Sequence, residues 1–261
     1  MKYFLSLGLS TYAKDAEYLR EFVDYYTMIG IEKFYVNVNN DEEQLVKQAL
    51  GNYANVELDY AEIDDMIESN NHLAKRAENE SEWLVIVDDD EFIVPYKDTM
   101  LPDFVRRVAR DSVDEIVLAS YNFGNSLLEK KTSDSVVNRF KFRSIHSTNT
   151  KSFIRPLKRL PTIDNVHCWN VVGDIVDEHG TVLDKEYKTK YEFCYDFTCN
   201  DCWINHYRIK STEECKSRLT RKYALGLEPA FEKFMQVNNE NDVYDNRILK
   251  LIERIQRDNK N

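Results

Sequence analysis

Glycine is scarce in this chain, 7 of 261 residues, and no G-x-G-x-x-G or G-x-x-x-x-G-K run occurs. Both fingerprints work by bringing bare backbone against a phosphate, so their absence excludes classical dinucleotide binding and P-loop chemistry. Cysteine is sparse and odd in number, at 5, which is no disulfide framework and fits a reducing compartment. Basic residues are outnumbered, 35 Lys and Arg against 46 Asp and Glu, for a net charge of −11. A dedicated nucleic-acid binder, or a protein that adheres to anionic lipid, would carry the opposite balance. Nothing approaches the roughly 18 to 20 apolar residues of a membrane span, and the opening Met1–Ser10 is too short and strand-like for a signal peptide. A cytoplasmic protein is expected, with room for one large α/β domain and a C-terminal appendage.

Against these absences stands one dense feature. Residues 83–92 read Trp-Leu-Val-Ile-Val-Asp-Asp-Asp-Glu-Phe, an apolar run of strand length that ends on four acids. A buried strand that delivers carboxylates to its C-terminal end is how open α/β sheets present metal-binding acids to a ligand crevice. Adjacent like charges repel unless something positive sits among them. Hard oxygen ligands suit Mn2+ or Mg2+ and, through the cation, a diphosphate. A solvated acidic turn is the alternative.

The surrounding pattern alternates strand and helix. Residues 3–9 are apolar, with a polar break at Ser10–Asp15. Leu19, Phe22, Val23 and Tyr26 then fall at i, i+3, i+4 and i+7 on one helix face, which Gly30 is placed to end. Phe34, Val36 and Val38 alternate before Asn39-Asn40-Asp41. A helix over 42–50, a strand over 56–60 and a helix over 65–79 lead into the acidic strand. This β-α-β-α-β-α-β order predicts a mostly parallel central sheet with helices on both faces. The loops after strands, at 10–15, 39–41 and 88–91, then share one edge. After a helix over 98–110, strand candidates at 115–120, 136–142, 152–154 and 169–172 predict mixed or antiparallel additions in the second half. From the capping-box run Ser211-Thr212-Glu213-Glu214 the C-terminus is expected to be helical, over 212–224, 229–236 and 242–257. Cys194, Cys199, Cys202 and His206 form a C-x4-C-x2-C-x3-H string whose ligand types would suit zinc. Its spacing is not that of paired knuckles, and free cysteines are commonly small buried residues.

Four segments, in order over about residues 4–223, resemble the GT-A nucleotide-sugar glycosyltransferases of the family 92-like and family 2-like group. Ala13-Lys14-Asp15-Ala16-Glu17-Tyr18, running on through Gly30 to Tyr35, resembles the group's opening helix and second strand, with Lys-Asp-Ala-Glu where Lys-Asn-Glu is usual. Asp88-Asp89-Asp90-Glu91-Phe92 resembles its D-x-D-E-F, and Tyr121-Asn122-Phe123-Gly124-Asn125-Ser126 its aromatic-Gly-Ser turn. Asn205-His206-Tyr207-Arg208-Ile209-Lys210-Ser211 resembles its H-Y-x-x-K-S segment.

The resemblance implies a GT-A, Rossmann-like fold: a domain over 1–211, with a nucleotide-binding half over 1–110 and an acceptor half over 111–211, and a helical segment over 212–261 packed on it. It implies transfer of a hexosyl or pentosyl group from a UDP- or GDP-sugar to a glycan or other hydroxyl acceptor, with Mn2+ or Mg2+. Asp90 is then a direct metal ligand, and Asp88 meets the ribose or reaches the metal through water. His206 is the third ligand or meets the diphosphate, while Asp89 and Glu91 turn to other partners. Thr11 and Asn39, at strand ends, are placed for base and ribose. Lys75, Arg76, Arg208 and Lys210 could reach diphosphate oxygens. An inverting reaction also needs a carboxylate base; Asp174, Asp177 and Glu178 in the 173–180 loop, and Asp201, are candidates that could equally be turn residues. His167 could line the acceptor site beside Trp169, which is otherwise core. Two other readings stay open. One is a different metal-dependent nucleotidyl- or phosphate-transfer enzyme, which would want a basic glycine-rich loop where Ser10-Thr11-Tyr12-Ala13 stands. The other is a zinc-stabilised, non-catalytic binding domain. No nucleic-acid partner is expected, and self-association is left open.

Overall fold

The computed structural model describes residues 1–260 except 13–14, 40–42, 161–165, 168, 185–198 and 224–227. Strands β1 (Tyr3–Thr11), β2 (Lys33–Val38), β3 (Val56–Asp59) and β4 (Ser81–Ile86) are joined by helices α1 (Ala16–Met28), α2 (Glu43–Leu50) and α3 (Met66–Ala77). The four strands run parallel in the order β3-β2-β1-β4. Parallel strands covered on both faces have no wet side, which is why β2 is buried along its whole length. On β4, Trp83 and Val85 enter one apolar cluster and Leu84 and Ile86 another, the two faces of a pleated strand. Helix α1 buries Leu19, Phe22, Val23 and Tyr26, the expected face. Beyond its end Gly30 takes φ +103°, and a Cβ there would lie 2.6 Å from Pro102 Cδ.

The second half adds β5 (Glu91–Val94), α4 (Leu101–Val108), β6 (Val113–Asn122), α5 (Val136–Arg139), β7 (Phe142–Arg143), β8 (Asn149–Ile154), β9 (Asp174–Val176), β10 (Trp203–His206) and β11 (Val243–Tyr244). Three C-terminal helices span Thr212–Tyr223, Glu228–Asn238 and Arg247–Asp258. Among the described residues the sheet runs β3-β2-β1-β4-β8-β6-β10-β5, with β9 against the start of β6. β8 is antiparallel to β4 and β6; β10 is parallel to β6 and antiparallel to β5. The mostly parallel α/β sheet with antiparallel additions is therefore present.

Three local expectations differ. Residues 136–142 form not one strand but a helical turn followed by the two-residue β7. The Val136 and Val137 N–H groups donate to the Glu21 carboxylate at 2.8 and 3.1 Å, so an acid on α1 starts a helix that the paired valines conceal. Residues 169–172 make only a bridge, Val171 to Arg159, because Trp169 packs into the core instead of pleating. The span 242–257 opens as β11, paired with β7, and turns helical at Arg247. One apolar cluster runs from Leu5 on β1 to Ile255 on the last helix, across both halves.

Candidate active site

Strands β1, β2 and β4 all end on one sheet edge. Their exits, with Ser10, Tyr12 and Asp15, Asn39, and Val87 to Asp90, line a crevice of about 510 Å³. Its other wall carries His206, Arg208 and Lys210 from the end of β10, and Arg218 from the Thr212–Tyr223 helix. Open α/β sheets bind ligands at this place, outside the carboxyl ends of their strands.

Beyond β4 the chain turns tightly, the Glu91 N–H donating to the Asp88 carbonyl at 3.0 Å, and reverses into β5. β5 pairs with β10 in the register Glu91 to His206, and this pairing delivers the histidine to the acids. His206 Nε2 lies 3.3 Å from Asp90 Oδ1, and Arg218 Nη1 lies 3.5 Å from Asp90 Oδ2. Burial would raise the Asp90 carboxyl, but His206, Lys210 and Arg218 hold it far below the usual carboxylate range. Burial would lower the His206 imidazole, yet Asp90, Glu91 and Asp88 raise it above its ordinary value. Its Nδ1 is buried without a hydrogen-bond partner among the described residues.

A second cation comes from β8. The Lys151 ammonium, 4 % exposed, lies 3.3 Å from Asp88 Oδ2 and 3.4 Å from Glu91 Oε2. Burial would lower this ammonium, and the two carboxylates more than reverse that. Glu91 also accepts the Asp88 N–H at 2.9 Å, which fixes the turn from inside. Asp89 accepts the Thr11 hydroxyl at 3.0 Å. Burial, followed by the charges of Asp15 and Asp90, pushes the half-buried Asp89 carboxyl up to about 8.

The expected site residues thus divide. Asp88, Asp90, His206, Lys210, Arg208 and Asn39 all line the crevice. Asn39 is held there by Asn37 Nδ2 at 2.8 Å and donates to Ser10 Oγ at 2.8 Å. Lys210 takes a left-handed φ of 57°, and its ammonium lies 4.4 Å from the Tyr18 ring centroid. Thr11 stands behind Asp89 and supports it.

Other candidates lie elsewhere. Lys75 is exposed and pairs with Glu78, and Arg76 pairs with Glu57 at 3.0 Å and Asp59 at 3.7 Å beside β3. Asp174 pairs with Val113 at the start of β6, the opposite sheet edge from Asn122, which neighbours His206. Asp177 accepts the N–H groups of His179 and Thr181, its own turn. Asp201 is taken by Lys97 at 2.6 Å and Arg107 at 3.5 Å. Glu178 accepts three N–H groups from residues 200–202. Local turn and ion-pair satisfaction explains why these acids are absent from the crevice lining. His167 Nδ1 is 3.1 Å from the Thr150 carbonyl, and Trp169 is core. Cys199 and Cys202 pack in the core, where burial pushes the Cys199 thiol up to about 12 and the Cys202 thiol well above its usual range. Cys194 lies outside the described residues.

Two cations that contact the acidic turn escaped sequence reasoning. Lys151 stands inside the strand Asn149–Ile154, and a lysine in a central strand is rarely buried without a counter-charge. Arg218 is one turn beyond Glu214 on a helix whose Cys215 and Leu219 are buried. Neither cue names the partner.

The donor set suits a hard divalent cation: an ionised Asp90 with Asp88 beside it on the crevice wall. Mg2+ in particular binds through one or two carboxylates plus substrate phosphates and water. The described residues contain no group of three or more His, Cys, Asp or Glu placed to hold a metal by themselves. No helix among them is long and apolar enough to cross a membrane.

Comparison with known proteins adds four findings. A family model described as glycosyltransferase family 92 matches residues 8–223. A family 92 protein of Oryza sativa subsp. japonica is 26% identical over 156 residues, 58% of this chain and 27% of that protein. One of Arabidopsis thaliana is 25% identical over 223 residues, 80% of this chain and 36% of that protein. This chain therefore spans roughly a third of the length of the curated relatives it matches. Among solved structures, S. aureus TarS 1–349 aligns with a TM-score of 0.44 at 11% identity, over 87% of this chain and 67% of that one.

Proposed function

The chain belongs to glycosyltransferase family 92, and from that premise we propose that it transfers a sugar from a UDP- or GDP-linked donor to a hydroxyl of a glycan acceptor. The observation that carries the reading is the facing of the Asp88–Asp90 turn by His206, Arg208, Lys210 and Arg218 across one crevice. Departure of a nucleoside diphosphate leaves negative charge on its leaving oxygen. Cations already fixed in a half-buried cleft stabilise that charge without reorganising as it forms.

Each residue has a part. Lys210, its ammonium over Tyr18, Arg218, tethered by Asp90, and His206 meet the diphosphate. Asp90 and Asp88 would hold Mn2+ or Mg2+, which when bound supplies Lewis-acid neutralisation of the diphosphate. Lys151, paired with both Asp88 and Glu91, holds the turn that presents Asp88. Asn39, where the 61–63 segment meets β2, serves the base or ribose; Asn37 exchanges hydrogen bonds with Ala61 N–H and carbonyl to hold that end open.

Thermal unfolding with UDP, GDP, CMP and dTDP sugars, each with and without Mn2+, tests the reading. A donor at a hundred times its dissociation constant should add about 2.7 kcal/mol. A manganese-dependent shift with one nucleotide is expected, and no shift with any of them overturns the proposal.

A further inference from the structure

Among the described residues β5 is the last strand of the sheet, yet every residue of it is buried. An edge strand leaves a row of N–H and C=O groups without a neighbouring strand, and burial makes each of them costly unless another group takes it up. On one side of β5 lies β10, in the register that sets Glu91 against His206 and with the Tyr207 N–H donating to the Asp90 carbonyl at 2.8 Å. The other side faces helix α1.

Two adjacent tyrosines of α1 supply the hydrogen bonds that a further strand would make. The Tyr26 hydroxyl donates to the Glu91 carbonyl at 2.9 Å and accepts the Ile93 N–H at 3.0 Å. The Tyr25 hydroxyl donates to the Ile93 carbonyl at 2.6 Å. With the Glu91 N–H turned onto the Asp88 carbonyl, every backbone group of Glu91 and Ile93 has a partner. Both phenols are buried, Tyr26 completely, and both rings pack on Phe92. Phenylalanine would serve that packing as well; the hydroxyls serve the strand.

The two hydroxyls differ in what they hold. Tyr25 reaches only the Ile93 carbonyl, inside the strand. Tyr26 spans Glu91 and Ile93, and Glu91 is the residue whose carboxylate accepts the Asp88 N–H at 2.9 Å and pairs with Lys151. The backbone of Glu91 is thus fixed from α1 while its side chain fixes Asp88, and Asp90 lies between the two in the chain. Tyr26 itself stands behind the strand, outside the crevice lining.

We infer that Tyr26 is a positioning residue for the acidic turn: its hydroxyl sets, through Glu91, where Asp88 and Asp90 stand for the cation and the diphosphate, and it touches neither. The inference rests on the transferase reading above and adds to it a residue of α1 that governs how tightly the cation is held. Removing a group that orients metal ligands from behind costs about ten- to a hundredfold in metal affinity.

The whole chain, as wild type, Tyr26→Phe and Tyr25→Phe, would be titrated with Mn2+ in the presence of UDP, and again of GDP, by the electron paramagnetic resonance signal of the free ion. Both variants lose a buried hydrogen bond, so both should melt below the wild type. Only Tyr26→Phe should raise the Mn2+ concentration for half-saturation, by about tenfold or more, while Tyr25→Phe matches the wild type. Equal half-saturation in Tyr26→Phe and the wild type, or an equal rise in both variants, assigns the hydroxyl to stability alone and overturns the inference. Should Tyr26→Phe fail to fold, 3-fluorotyrosine in place of Tyr26 keeps both ring and hydroxyl. Its fluorine NMR signal should then move when Mg2+ and the same nucleotide are added, and an unmoved signal overturns the inference. Absence of nucleotide-dependent Mn2+ binding by the wild type would instead overturn the transferase reading, and the inference with it.

Discussion

Lys151 shows how a single side chain sets the state of the acidic turn. Its ammonium is the cation shared by Asp88 and the buried Glu91, and removing one partner of a buried pair strands the other charge. Lys151→Met should therefore cost about 3–5 kcal/mol of stability in urea unfolding. Adding Glu91→Gln should recover part of that loss, because the stranded charge is gone; simple additivity of the two variants would contradict the pairing. Asp90 carries a different burden, since it holds His206 and Arg218 at the crevice. Asp90→Ala should lower donor turnover by at least about a hundredfold with an unchanged far-UV circular dichroism spectrum, and full activity would remove its proposed metal role. The acids were legible because they are contiguous, each marked by the strand that ends on them. Lys151 is separated from Asp88 by 63 positions, and no local pattern spans that distance.

At the scale of elements, the Thr212–Tyr223 helix is fixed by its capping box and by what the box recruits. Glu214 accepts the Ser211 N–H at 3.1 Å, the Ser211 hydroxyl at 2.6 Å and the Arg139 guanidinium at 2.7 and 3.0 Å. Burial would raise this carboxyl, but Arg139, Ser211 and Tyr18 hold it down at about 2, against an ordinary 4.5. A depressed carboxyl stabilises the fold above its unfolded pKa and loses that contribution as pH falls through its folded pKa. The melting temperature should thus drop between about pH 4.5 and 2 more steeply in the wild type than in Glu214→Gln. Parallel curves would show that Glu214 is not linked to folding. The turn after α1 makes a second case. Gly30→Ala would force a Cβ at positive φ against Pro102, costing about 1–3 kcal/mol by chemical denaturation. Ser211-x-x-Glu214 and Gly30 could both be read directly, since caps and stops are short-range signals. Helix α5 could not, because its start is fixed by Glu21 from another helix.

Across the whole molecule, the core is continuous from β1 to the last helix, so neither half has an apolar interior of its own. Trp83 and Trp169 flank the sheet and Trp203 begins β10; all three are buried. Fluorescence and far-UV circular dichroism melts of the ligand-free chain should therefore coincide in one transition, and two separated transitions would show that the halves unfold independently. The sequence by itself determined the parallel β-α alternation of the first half, the face that α1 buries and the carboxylates at the end of β4. Those follow from periodicity and charge within a few residues. Tertiary structure alone decided that β8 enters between β4 and β6, and that β10 lies between β6 and β5. With those pairings it brought Lys151, His206 and Arg218 to the acids and left Asp174, Asp177 and Asp201 outside the crevice. Strands of three to six residues carry little local preference for a partner; their pairing is settled by competition among long-range contacts, after the chain has closed its loops.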